Sequence, residues 1–155
     1  MSNNSLYRHV QHAPLCLLLY VLAVVFLVLR LLTNIEPPIP WLFPPIGLFI
    51  LVLAASFHHL TVEDQADQLL ISFGPIPLFR RKIRYDEILS AEIGRTTILD
   101  GWGIHMSLRG GWVWNLWGPD CVVLRLRKGI LRVGTDDAEN LANFLNQKIS
   151  NQRTP

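Results

Sequence analysis

LCLLLYVLAVVFLVLRLL (residues 15–32), TNIEPPIP (33–40) and WLFPPIGLFILVLAASF (41–57) follow one another near the start of a chain of 155 residues. The first run carries a single charge, Arg30, and as a helix its 18 residues reach about 27 Å, close to the thickness of a bilayer's hydrocarbon core. The second run has 17 residues and no charge. With eight residues between them, the two runs predict a transmembrane hairpin that returns both chain ends to one side. Pro37, Pro38 and Pro40 forbid a continuous helix through the turn, whereas Pro44 and Pro45 fall where a helix's first amides have no partner anyway. Arg30 is close enough to the end of its run to snorkel to the headgroups, and Tyr20 and Trp41 are candidates for interfacial contacts.

A cleaved signal peptide is the competing reading of the first run. Its apolar stretch is longer than such peptides need, and the segment after it has no small-x-small cleavage site. Arg8, His9 and His12 precede the hairpin while its turn holds Glu36 and no Lys or Arg, so both termini are expected in the cytoplasm.

The expected division is an N-terminal segment (1–14), the hairpin (15–58), a mainly-β domain with a C-terminal helix (59–150) and a tail (151–155). Half of the residues are hydrophobic and 17% are charged, which suits a chain divided between bilayer and water. From His59 onward, twelve Lys or Arg stand against eleven Asp or Glu. That balance is too neutral for a general nucleic-acid binder, so no nucleic-acid partner is expected. Cys16 and Cys121 form no metal-ligand spacing and suggest no disulfide framework.

Short alternating runs bounded by Gly or Pro predict about seven antiparallel strands. They are Leu69–Phe73, Phe79–Tyr85, Ile88–Thr97, Gly103–Leu108, Gly111–Trp117, Cys121–Arg127 and Ile130–Thr135. Lys128-Gly129 supplies a tight hairpin turn between the last two. Asp136 and Glu139 read as a capping pair, and Ala138, Leu141, Ala142, Leu145 and Ile149 make one apolar helical stripe. Strands followed by one amphipathic helix predict a strongly bent sheet or partial barrel that the helix closes.

Gly101-Trp102-Gly103-Ile104, Gly111-Trp112-Val113-Trp114-Asn115, Gly118, Lys128-Gly129 and the run Arg132–Leu141 resemble the bacterial pleckstrin-homology-like (PH-like) domain proteins, many of which carry a two-helix membrane hairpin. The resemblance covers about Val62–Ile149. It implies two packed antiparallel sheets with a C-terminal helix, on the cytoplasmic membrane of a bacterium. His105, Trp114 and Ala138 stand where that family more often has Arg, Tyr and Pro. It offers no catalytic residues to carry over.

Three features compete for function. Arg80, Arg81, Lys82 and Arg84 form a basic strand that either grips anionic lipid or is an ordinary solvated face. Trp102, Trp112 and Trp114 either fill the core, the default for a small bent sheet, or present a partner-binding patch. His58 and His59 complete no metal-ligand pattern, and no Ser, Cys or carboxylate pair has an activating neighbour. The glycine pairs carry no phosphate-binding lysine and open no helix. The reading that follows is a non-enzymatic, membrane-anchored module without a cofactor, in contact with membrane lipids, which docks a membrane or membrane-associated protein or helps organise an assembly at the cytoplasmic membrane face. Anionic-lipid or envelope sensing through the basic strand, or an accessory role in a membrane enzyme or transporter, is the alternative.

Overall fold

The computed structural model describes residues 6–33, 36, 38–97 and 102–153. Two apolar helices, α1 (Leu15–Leu32) and α2 (Phe43–Ser56), pack antiparallel, with the 3-10 turn Ile39–Leu42 leading into α2. Small residues set their approach. Ala23 and Ala54 are fully buried, and a Cβ on Gly47 would lie 2.9 Å from Leu27 Cγ and 3.1 Å from the Ala23 carbonyl oxygen. The Arg30 guanidinium lies over the Trp41 ring, 5.0 Å from its centroid, at the turn end of the pair.

Among the described residues one segment, Ile39–Ser56, is long and apolar enough to cross a membrane, and Cys16–Leu32 is a shorter apolar helix. The two apolar runs therefore form a packed helix pair, and one member of it, not both as expected, meets the length for a span.

Nine strands in two sheets make up the rest of the described chain, with α3 (Ala138–Arg153) at its end. The first sheet has the order β1 (Arg8–His12), β2 (His59–Gln65), β3 (Gln68–Gly74), β4 (Arg80–Arg84), antiparallel throughout. The second runs β5 (Ile88–Arg95), β8 (Asp120–Leu126), β9 (Gly129–Gly134), β7 (Trp112–Asn115), β6 (Gly103–Met106). This mainly-β body with a C-terminal helix is compatible with a PH-like fold.

Three details depart from the sequence reading. The N-terminal segment is part of the domain, since Arg8–His12 pairs with His59–Glu63. Its five residues include only one aliphatic side chain, Val10, too few to register as a strand. Next, the second sheet is not wholly antiparallel, because β9 inserts between β8 and β7 and runs parallel to β7. Gly111 and Gly134 permit that approach: a Cβ on the first would strike the Ile130 carbonyl, and one on the second would strike the Asn115 side chain. Finally, the residue before α3 is Asp137 rather than Asp136. Its carbonyl accepts the Leu141 amide (3.1 Å), while its carboxylate accepts the Tyr7 hydroxyl (3.0 Å) and the Asn140 amide (2.6 Å). Asp136 pairs with His9 instead.

The core lies between the sheets. Leu60, Val62, Leu69, Ile71, Phe73 and Ile83 face Val122, Leu124, Leu131 and Val133; of the predicted stripe of α3, Leu141, Ala142, Leu145 and Ile149 join them and Ala138 is half-buried at its edge.

One buried polar cluster ties α3 to the first sheet. Asp64 accepts the Tyr85 hydroxyl (2.7 Å) and pairs with Lys148 Nζ (2.9 Å), whose ammonium also lies over the Tyr85 and Phe144 rings. Burial, with the Asp64 carboxylate beside it, pushes the Tyr85 hydroxyl's pKa up, so it stays a donor across the physiological range.

Candidate interaction surfaces at the two ends of the domain

Register fixes which end of the domain adjoins the helices. α1 follows β1 and β2 follows α2, and His12 and His59 are direct cross-strand partners. His59 in turn faces Gly74 at the end of β3. The near end of the first sheet is therefore the His12–His59–Gly74 row. In the second sheet Gly103 marks the near end of β6, since it lines an apolar cleft of about 240 Å³ with Ala13, Cys16, Leu19, Phe57, Trp102 and Leu116.

The basic strand β4 climbs away from this row. Arg80 stands opposite Ser72, Lys82 opposite Leu70 and Arg84 opposite Gln68. At about 3.3 Å per residue, these lie roughly 7, 13 and 20 Å along the strand from the Gly74 level. Arg80, Lys82 and Arg84 are exposed, while Arg81, on the opposite face, is half-buried.

The four cations are not equivalent. Arg84 makes a fork to Asp86, Nε to Oδ1 and Nη2 to Oδ2, each 3.0 Å. Those hydrogen bonds hold the Asp86 carboxyl below its usual range and push the Arg84 pKa up. Arg80, Arg81 and Lys82 make no ion pair among the described residues.

Between β3 and β4 the chain turns through Pro75, Ile76, Pro77 and Leu78, with Ile76 37% and Leu78 54% exposed. The turn is fixed, because the Phe73 amide bonds the Phe79 carbonyl (2.9 Å) and the Leu78 amide bonds that of Ile76 (2.8 Å). Phe57, the residue that ends α2, packs its ring against Phe73 (4.9 Å) and Phe79 (5.3 Å). The loop is thus seated on the foot of the helix pair.

The three candidate tryptophans separate. Trp114 is buried beside Phe73 with its indole N–H unpartnered, so it is a core residue and not part of an exposed patch. Trp102 is half exposed at the near end, stacked on Trp117 at 4.5 Å. Trp112 is 43% exposed at the far end, where its cross-strand partner Met106 is 66% and Leu108 is 87% exposed. Gly101, one of the motif glycines, lies outside the described residues.

Sequence reasoning missed the convergence of His12 on His58 and His59. The three rings sit 5.8–6.0 Å apart between centroids, and Cys16 Sγ bonds the Ala13 carbonyl (3.0 Å) with His58 Nδ1 at 3.6 Å. Burial, reinforced by His12, His58 and Arg8, lowers the His59 pKa. Among the described residues no group of three or more His, Cys, Asp or Glu is arranged to hold a metal ion.

No known protein family's model matches the chain, and no curated protein matches it.

Proposed function

We propose that this chain is a non-enzymatic, PH-like docking module held at the cytoplasmic face of a membrane by a two-helix hairpin, with its far end presented to a protein partner. The observation that carries the reading is the pairing of β1 with β2, which places both chain passages to the helix pair side by side in one sheet. A domain attached in this way holds a fixed pose toward its helices. Membrane insertion is supported by the helix surfaces: Leu17, Leu18, Val21, Val24, Leu48 and Phe49 are all more than half exposed, a patch that water does not favour. Docking is supported by Met106 at the end of the edge strand β6, Trp112 opposite it on β7 and Leu108 in the turn between them, with Met106 about 10 Å along the strand from Gly103 in the cleft beside α1.

The test is gentle-detergent co-purification of the full chain from its native membrane. Three forms are compared: the wild type, a hairpin swapped for an unrelated one, and Met106→Glu/Trp112→Glu. A stoichiometric protein that survives the swap and is lost with the double variant is the expected result. Loss on the swap alone would replace docking by an accessory role within a membrane complex. A partner indifferent to both changes, or none at all, would refute the reading.

A further inference from the structure

We propose that the near end of the domain is itself a membrane-contact surface, whose β3–β4 loop sits in the headgroup layer of an anionic bilayer with Arg80 and Arg81 directly above it. This rests on the hairpin reading and goes beyond it, because a tethered domain need not touch the lipid.

Three independent observations converge on this surface. The first is position. Phe57 closes α2 and its ring packs on both Phe73 and Phe79, so the loop between them is level with the point where the helix leaves the bilayer. The second is chemistry. The loop exposes Ile76 and Leu78 in a stretch of chain where the next residues are Phe79, Arg80, Arg81 and Lys82. Apolar side chains below and cations above are the order in which a bilayer presents acyl chains and then phosphates. Trp102 is half exposed at the same end, lining one cleft with Phe57, Ala13, Cys16 and Leu19. Such a ring with one apolar and one wet edge suits the interface.

The third is the distribution of charge along β4. Arg80 lies about 7 Å and Arg81 about 10 Å from the Gly74 level, distances comparable with the Debye length of about 8 Å at physiological salt. They are also free of ion pairs among the described residues. Arg84, roughly twice as far along the strand, already spends its charge on Asp86. On the exposed face of β4, Arg80 at the helix end and Lys82 beyond it carry charge unpaired among the described residues, and Arg84 at the other end is neutralised by Asp86. The occupant that fits is anionic phospholipid headgroup, met by one exposed arginine, Arg80, and one half-buried arginine, Arg81.

The full chain is reconstituted in phosphatidylcholine vesicles with and without about one-third phosphatidylglycerol. It carries an environment-sensitive fluorophore on Leu78→Cys, Phe49→Cys or Leu108→Cys, and the wild type controls for labelling of the two buried cysteines. Lipids with a spin label high or low on the acyl chain act as quenchers. Phe49→Cys reports the hairpin and should be quenched by the deep label. Leu78→Cys should be quenched by the shallow label at least threefold more than Leu108→Cys, with a blue-shifted emission. Arg80→Glu/Arg81→Glu should at least halve that quenching in phosphatidylglycerol vesicles and leave it unchanged in phosphatidylcholine, whereas Arg84→Glu should change neither.

Quenching at Phe49→Cys with none at Leu78→Cys would overturn the contact surface and leave the hairpin standing. Absence of quenching at Phe49→Cys would overturn the hairpin, and the inference with it. A double variant that quenches like its parent in the anionic vesicles, at an unchanged circular dichroism spectrum, would overturn the role of the two arginines.

Discussion

Lys148→Met should be among the most damaging single substitutions in the β domain, although it keeps the length and apolar stem of the side chain. Lys148 Nζ lies 2.9 Å from Asp64 Oδ2; the Lys side chain is 17% exposed and that of Asp64 only 3%. The methionine keeps the packing of the lysine stem but not the cation over the Tyr85 and Phe144 rings. What it chiefly removes is the cation at the Asp64 carboxylate, which among the described residues then keeps the Tyr85 hydroxyl as its one side-chain partner. Breaking a buried pair from one side costs about 3–5 kcal/mol, chiefly because a charge remains without compensation. For a chain of this length that corresponds to a fall in Tm of roughly 6–20 °C. Neutralising the survivor should recover most of the loss: in Asp64→Asn/Lys148→Met the amide oxygen still accepts the Tyr85 hydroxyl and no charge is stranded. Thermal unfolding of the full chain in mild detergent, followed by near-ultraviolet circular dichroism, gives all four corners of the cycle. A cost below about 1 kcal/mol for Lys148→Met, or a double variant no more stable than the single one, would refute the reasoning.

Gly134→Ala brings a Cβ onto the Asn115 side-chain oxygen and to 2.8 Å from Asn115 Cα, so β7 and β9 must separate. A loss of about 3 kcal/mol in the same unfolding assay is expected, and an unchanged Tm would show that the parallel pair is looser than described. His59 has a pKa lowered from its ordinary value near 6.5, so the unfolded chain binds that proton more readily than the folded one. Stability from this group is therefore complete above about pH 7 and declines as pH falls through 6.5 toward the depressed folded value. His59→Gln should flatten the dependence of Tm on pH between about pH 7.5 and 5, and identical slopes in both proteins would contradict the assignment.

Elements held by their own periodicity were legible in the sequence. The alternation of Cys121–Arg127 and the Lys128-Gly129 turn give the β8–β9 hairpin, where Gly129 adopts a φ of +102°. The apolar stripe of α3 is buried from Leu141 to Ile149, with Ala138 at its start half-buried. Elements that depend on distant partners were not legible. β1 hides its strand character because the residue it buries is Gln11, whose amide bonds the Trp117 carbonyl (3.0 Å). β2 was missed for a related reason, since its buried Asp64 becomes intelligible only once Tyr85 and Lys148 are brought beside it. The parallel β7–β9 pairing leaves no periodic trace, only two glycines whose missing Cβ atoms matter when the strands meet.

Among the candidate residues, the basic run was visible but its inequality was not. Only the Arg84–Asp86 fork and the register of β4 against β3 separate the cations near the helices from the one far from them. The tryptophans behave likewise. Spacing places Trp112 and Trp114 on one strand face, yet Trp114 is buried beside Phe73 and Trp112, at the start of β7, is exposed.

The β1–β2 ladder bears on both proposed surfaces at once. A domain joined to its helices by one flexible segment could swing and offer any face to the bilayer. Here five register pairs run from Arg8–Glu63 to His12–His59, and Phe57 wedges against the β3–β4 loop at the foot of α2. Swinging the domain would require bending both short connections, Ala13–Pro14 and Phe57–His58, together and pulling Phe57 from its aromatic contacts. The Ile76–Leu78 end and the Trp112–Met106 end are therefore kept apart by the fold. On the reading proposed here, the first is always turned to lipid and the second always to the aqueous side. Charge reversal at Arg80 and Arg81 should then alter lipid contact without touching partner capture, and Met106→Glu/Trp112→Glu should do the opposite. If either variant changed both readouts, the domain would have to reorient on its helices, which the β1–β2 pairing forbids.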